Sequence, residues 1–210
     1  MKRKELHGSP TLIKTNFDRK GNLNGYECIE GMFSEYKKIQ DKFDYDYLIK
    51  LDSDCCLNSF DYIKVAEEEM KKANIPLSKL GQIGTYFATM CVVGCCQTFG
   101  KTCINSLNFL FNSLKNPTTN ERKILKKRIE LGYNEDKVIS ILVEMSPLVK
   151  INVDKLNGIK GNCNAFEMND GSDYSSYTSV AFKPNYFTLN KGKWTREYSL
   201  NIMENFVSKK

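Results

Sequence analysis

The sequence has little histidine and no long apolar run. His7 is its only histidine, which argues against a histidine-rich metal site and a Ser–His hydrolase, because both chemistries depend on imidazole groups. The longest apolar run, from Tyr86 to Cys96, is broken by Thr89 and Gly94 and is too short to span a bilayer. We therefore expect neither a histidine-based centre nor a membrane-spanning segment.

The amino terminus lacks the pattern of an export signal. The opening residues MKRKELHGSP are basic, but no apolar stretch follows them. Without export, the eight cysteines are expected to be free thiols. Those between Cys91 and Cys103 cluster, but without the two separated CxxC pairs typical of structural zinc. We expect a cytoplasmic protein, and contact with the inner face of a membrane stays an open alternative.

The composition fits one folded domain. The chain has 210 residues, of which 41% are hydrophobic, enough for a sizeable core in a single domain over residues 1–210. The net charge of +6 fits an anionic ligand, such as a nucleotide diphosphate, or an anionic membrane face. Because both signs are interspersed, nucleic acid is not an expected partner. The basic segment Glu121–Leu131 is interpreted as a solvated helix face, with anionic lipid as the alternative partner.

Apolar periodicity predicts strands that alternate with helices. The predicted strands are Thr11–Thr15, Tyr45–Leu51, one or two within Gln82–Val93, Leu148–Val153 and Thr178–Phe182. The predicted helices begin near Tyr26, Phe60, Ile104, Glu121 and Val138, with a last helix around Tyr198–Phe206; the one from Glu121 is basic, and the others show apolar periodicity. The second helix is expected to turn one apolar stripe inward: Phe60, Ile63, Ala66, Met70 and Ala73. This alternation indicates an α/β layered domain.

The strongest candidate for chemistry is the segment Asp52-Ser53-Asp54. It follows directly on the apolar strand Tyr45–Leu51. We expect helices to bury this strand on its faces, and the two aspartates to lie at the carboxyl edge of a central sheet. In open α/β sheets, ligands bind beyond the carboxyl ends of the strands, and two carboxylates there can hold a hard divalent cation beside the phosphates of a nucleotide. The alternative is a polar turn, since Asp and Ser are common turn residues. The apolar strand before the motif favours the metal site.

The run from Asn16 to Asp54 resembles the middle of a GT-A fold glycosyltransferase. The resemblance rests on the turn NFDRKGNLNG, a helix from Tyr26 and an apolar strand that ends in LDSD. It implies a GT-A-like (Rossmann-like) mixed sheet flanked by helices, in which Asp54, with help from Asp52, contacts Mn²⁺ or Mg²⁺ and the donor diphosphate. The resemblance covers about residues 11–185. It does not include the family's opening base-binding strand, so a domain truncated at its N-terminus is expected.

A second similarity is the acidic pair Glu135-Asp136, which precedes the apolar run VISILV. Many inverting members of the family carry such a pair at the start of a helix. The resemblance implies that one carboxylate, Asp136 first and Glu135 second, removes the proton from the acceptor hydroxyl. The alternative is structural, because the helix dipole favours acidic residues in a first turn.

The resemblance extends to the small-residue segment around Gly94. In related enzymes this segment lines the donor or acceptor pocket, and Gly94 would allow close backbone approach. The alternative is a glycine that ends a buried strand. Many metal-dependent members also use a late histidine as a third ligand, whereas the comparable strand here reads TSVAFKP. Lys183 is a candidate for phosphate contact instead.

The resemblance as a whole implies a metal-dependent, hexosyltransferase-like glycosyltransferase. It would move a sugar from a nucleotide diphosphate sugar to a hydroxyl on a glycan, lipid or protein. One alternative is a non-catalytic remnant of the fold that acts as a binding or interaction module. A nucleotidyltransferase is a weaker alternative, because no Gly- and basic-rich phosphate loop is visible early in the chain.

Overall fold

The computed structural model describes residues 25–52, 55–87, 91–133, 135–164 and 176–181. The helices are α1 (Gly25–Lys42), α2 (Asp61–Lys72), α3 (Cys103–Ser113), α4 (Asn120–Glu130) and α5 (Glu135–Glu144). The strands are β1 (Tyr47–Leu51), β2 (Cys55–Leu57), β3 (Leu80–Phe87), β4 (Cys91–Gly100), β5 (Val149–Asn152), β6 (Lys160–Asn164) and β7 (Tyr177–Ala181). The predicted strand Thr11–Thr15, the predicted helix Tyr198–Phe206, Lys183 and Asp54 lie outside the described residues.

The strands form two mixed sheets. The four-stranded sheet has the order β1-β4-β3-β5, in which β4 is antiparallel to both of its neighbours and β3 is parallel to β5. The three-stranded sheet has the order β2-β7-β6, with β2 antiparallel and β6 parallel to β7. The predicted α/β class, with mixed sheets and flanking helices, is confirmed at this level.

Strand β1 differs from its predicted form. It begins at Tyr47 rather than Tyr45, and within the described part of the chain it pairs with β4 alone, at one end of the sheet order. Its residues are half-buried, and Leu51 is 42% exposed. The expectation of a strand buried by helices on its faces is therefore wrong. Asp52 nevertheless follows at the carboxyl end of the strand, as predicted.

The four-stranded sheet has two differently covered faces, because successive side chains of a strand point to opposite sides. On one, the α5 face, Phe99 of β4 packs in the core formed with helices α1, α3, α4 and α5. On the other, the α2 face, Ile83 of β3 packs with Ala66 and Met70 of α2. The apolar stripe predicted for α2 fails at its ends: Phe60, just before the helix, is 51% exposed, and Ala73 is also exposed.

The turn between α4 and α5 fixes where α5 begins. Gly132 has a backbone φ of 104°, a left-handed value that side chains rarely tolerate. Its N–H donates to the carbonyl of Ile129 at 3.0 Å, and the N–H of Tyr133 donates to Arg128 at 3.2 Å. These two bonds are the Schellman pattern that ends a helix at glycine. The chain can then reverse and start α5 at Glu135.

None of the helices in the described ranges combines the length and the apolar character needed to cross a bilayer.

Candidate functional site

The first element of the candidate site is the carboxyl end of β1. Leu51, its last residue, pairs with Cys96 of β4, and Asp52 follows immediately. Because β1 and β4 are antiparallel, residues before Cys96 run past the end of β1. Gly94 lies in that part of β4, two residues before Cys96 and inside the strand rather than at its end. The interpretation of Gly94 as the residue ending a strand is therefore wrong.

The second element is the first turn of α5. The helix begins at Glu135, so both acidic residues of the predicted pair lie in its first turn. Glu135 is 2% exposed. The Asp136 side chain is 18% exposed and retains contact with solvent. Of the two candidates, Asp136 is thus the carboxylate that a substrate hydroxyl can approach.

Lys50 connects the two elements. Its Nζ lies 3.0 Å from Oδ1 of Asp52 and 3.8 Å from Oδ1 of Asp136. Period-two alternation along β1 places Lys50 and Leu48 on the same side, and Leu48 packs in the core of the α5 face. One ammonium, 9% exposed, therefore holds together two carboxylates that are distant in sequence.

Two buried glutamines form a hydrogen-bonded chain that ends at Asp136. Nε2 of Gln97 on β4 donates to Oδ1 of Asp136 at 2.8 Å, and Nε2 of Gln82 on β3 donates to Oε1 of Gln97 at 3.0 Å. Both glutamines are fully buried. Within the described residues, Oε1 of Gln82 has no hydrogen-bond partner. A buried polar group costs free energy unless it is paired, so this chain of amides is expensive to keep in a core.

The two carboxylate oxygens of Asp136 differ in their contacts. The hydrogen bond from Gln97 and the ion pair with Lys50 both go to Oδ1. For Oδ2, the described part of the structure contains no hydrogen-bond partner. Oδ2 is therefore the oxygen that can accept a proton from a ligand.

Asp136 has a perturbed acidity. Burial raises the pKa of Asp136 to about 6, and the nearby charges of Glu135 and Asp52 add to the rise, while Lys50 and the hydrogen bond from Gln97 oppose it. A carboxylate with a pKa near neutrality binds protons more strongly than an ordinary aspartate but is still largely ionised at pH 7. This is the combination that general base catalysis requires.

The predicted metal ligands are Asp52 and Asp54. Asp54 lies outside the described residues. Among those that are described, no group of three or more His, Cys, Asp or Glu side chains could hold a metal ion. Asp52 supplies a carboxylate of the hard oxygen type that Mn²⁺ and Mg²⁺ prefer, at the expected end of the strand. Its pairing with Lys50 means that a cation would compete with this ammonium.

A cavity elsewhere does not coincide with this site. It measures about 10 Å³ and lies between β3, β4 and β7, with Tyr62 and Thr98 among its lining residues. That volume accommodates about one water molecule. Tyr62 and Thr98 already bond to each other at 2.6 Å, so the cavity is part of the core on the α2 face.

Comparison with known proteins adds no assignment. No protein-family model matches the chain, and no curated protein matches it significantly.

Sequence reasoning missed Lys50, Gln82 and Gln97. Each is a polar residue inside an apolar strand, in the segments YLIKL, LGQIG and GCCQTFG. A buried polar residue usually has a partner, so these interruptions were the available signal. Lys50 is also two residues from Asp52, which puts both on one side of the strand.

Proposed function

We propose that this protein is a metal-dependent glycosyltransferase that uses the carboxyl end of β1 and the first turn of α5 as one active site. The observation that supports this most is the shared contact of Lys50 with Asp52 and Asp136. The GT-A resemblance assigns one of these acids to the metal and donor, and the other to the acceptor. Their proximity is what a transfer reaction between two such substrates needs.

Asp136 is the general base in this mechanism. Its Oδ2 takes the proton from the acceptor hydroxyl, while Gln97 holds Oδ1 and thereby fixes the orientation of the carboxylate. The activated oxygen then attacks the anomeric carbon from the side opposite the leaving diphosphate, which inverts the configuration. Lys50 offsets the accumulated negative charge of the two acids.

Asp52 and Asp54 would hold a Mn²⁺ or Mg²⁺ ion, which would supply positive charge to stabilise the diphosphate leaving group. Gly94 lies in the part of β4 that extends past the end of β1. Because glycine has no side chain, this position leaves room for the donor. The sugar donor is a nucleotide diphosphate sugar, and the acceptor is a hydroxyl of a glycan, lipid or protein.

Calorimetry of nucleoside diphosphate binding tests the donor half of the proposal. Wild type is expected to bind in the presence of Mn²⁺ and much more weakly without it. Asp54→Ala should abolish the Mn²⁺-dependent component, because one anionic ligand of a hard cation is lost. Asp136→Asn is the matched control and should bind as wild type does. If wild type fails to bind any nucleoside diphosphate, the chain is a non-catalytic member of the fold and the proposal is wrong.

A further inference from the structure

Helix α4 has an unusual concentration of positive charge. Its eleven residues include two acids, Glu121 and Glu130, and five cations: Arg122, Lys123, Lys126, Lys127 and Arg128. Across the described ranges, none of these cations forms an ion pair. Lys126 donates instead to the backbone carbonyl of Lys115 at 3.1 Å.

Helix α2, of similar length, differs from α4 because two of its lysines form ion pairs within the helix. Lys64 pairs with Asp61 at 3.4 Å, and Lys72 pairs with Glu69 at 2.7 Å. Its surface charge is thus largely compensated along the helix itself. On α4, five cations outnumber two acids and form no ion pair with any described residue, so this surface attracts anions.

The outward face of α4 also carries aliphatic side chains. Leu125 and Ile129 are buried against the core, with exposures of 5% and 1%. Ile124 and Leu131, by contrast, are 45% and 77% exposed. Leu131 directly follows the last residue of α4, and its N–H still bonds to the carbonyl of Lys127. It lies seven positions after Ile124 and therefore on the same side of the helix, with Lys127 between them. The result is a face in which two aliphatic groups lie among cations that form no ion pair with the described part of the chain.

We propose that this outer face of α4 docks the protein on a membrane surface rich in anionic lipid. The cations attract the lipid phosphates and carboxylates, and Ile124 and Leu131 enter the interfacial region, where aliphatic groups leave water. A nucleic acid would match the charge but would leave both aliphatic groups in water, so lipid is the better match. The proposal does not depend on the transferase function, because docking is measured without turnover.

Vesicle sedimentation tests the docking directly. The full chain is mixed with phosphatidylcholine vesicles containing about 30% phosphatidylserine, or with pure phosphatidylcholine vesicles as the neutral surface. We expect binding to the anionic vesicles, little binding to the neutral ones, and a marked loss at high salt. Absence of binding to the anionic vesicles overturns the proposal.

Charge-swap variants locate the surface. In Lys123→Glu/Lys127→Glu, affinity for anionic vesicles should fall at least about 25-fold, since each cation near the surface contributes about fivefold. The matched control is Lys71→Glu/Lys79→Glu, which changes the net charge equally at two exposed lysines away from α4. It should stay within about twofold of wild type. An equal loss in both variants contradicts docking through α4.

An aliphatic variant separates lipid from nucleic acid. Ile124→Ser/Leu131→Ser keeps every charge and should bind anionic vesicles about tenfold more weakly, because two aliphatic groups no longer leave water. Both residues are exposed, so the fold should be retained. Unchanged vesicle affinity in this variant overturns the proposed insertion. Binding of wild type to a short oligonucleotide but not to anionic vesicles overturns the proposal as a whole.

Discussion

The two faces of the four-stranded sheet bury different side chains from the same strands. On the α2 face, Ile83 packs against α2, and Tyr62 and Thr98 hydrogen-bond to each other within the core. On the α5 face, Gln82 and Gln97 are equally buried, but their hydrogen bonds lead out to Asp136. Polar groups that are expensive to bury thus converge on a carboxylate accessible to solvent.

We infer from this difference that the α2 face contributes mainly to stability, whereas the α5 face supports the proposed site. A core gains little from a chain of amides that leaves Oε1 of Gln82 unpaired within the described residues. Proteins tolerate such local violations mainly at functional sites. We therefore expect substitutions on the α2 face to change stability alone, and substitutions on the α5 face to change the proton affinity of Asp136.

The largest effect on stability is expected on the α2 face. Ile83→Ala should lower the free energy of unfolding by about 2–5 kcal/mol, because a fully buried side chain is replaced by a cavity. Urea unfolding at pH 5 and pH 8 should show the same loss at both values. Leu77→Ala, at a half-exposed position, is the control and should change stability by less than about 0.5 kcal/mol. A loss of stability that differs strongly between pH 5 and pH 8 would contradict the proposed difference between the two faces.

A smaller effect, of opposite sign, is expected for Asp136→Asn. The pKa of Asp136 in the folded protein is raised from 3.8 to about 6. Its contribution to the free energy of unfolding is therefore fully present below pH 4 and is lost as pH rises through 6. The asparagine amide does not ionise, so the variant does not lose this stability as pH rises. Its carbonyl oxygen still accepts the hydrogen bond from Gln97. The variant should match wild type near pH 4 and exceed it by up to about 3 kcal/mol at pH 8. Lower stability of the variant at pH 8 would show that the ionised carboxylate supports the fold.

The smallest effect is expected for Gln97→Leu, and it concerns the position of a pH transition. The hydrogen bond from Gln97 lowers the pKa of Asp136, so its removal should move the stability transition of Asp136 to higher pH. Gln82→Leu leaves that direct bond in place and should move it less. Thermal unfolding followed from pH 4 to pH 8 would measure both shifts. Equal transitions in wild type and Gln97→Leu would mean that the amide does not act on Asp136.

Much of this arrangement was predictable from local sequence patterns. The strand ending at Leu51, the buried stripe Val138, Ile139, Leu142 and Val143, and the start of α5 at the acidic pair all follow from apolar periodicity. Strands β2 and β6 were missed. They are short, and β6 (KGNCN) has low β-propensity. They exist because both pair with β7, a contact that no local pattern encodes.

The central juxtaposition was predictable only in part. The resemblance predicted Asp52 and Asp136 as site residues. The bridging position of Lys50, however, depends on the pairing of β1 with β4 and on the packing of α5 over that face. Neither is a local property of the segment YLIKL. The edge position of β1 in the described sheet was missed for the same reason, because a half-buried and a buried strand of five residues can have equally apolar sequences.

Turnover by the Asp136→Asn variant is the most direct test of the central claim that Asp136 and the end of β1 form one active site. Wild type and variant would be compared with a panel of nucleotide diphosphate sugars and acceptors, with Mn²⁺, from pH 5 to pH 8. Wild-type turnover should rise with pH through about 6, the pKa of Asp136. The variant should transfer sugar slower by a factor on the order of 10²–10⁴ while it still binds donor. Unchanged turnover in Asp136→Asn would contradict the account and leave the acidic pair as an ordinary helix start.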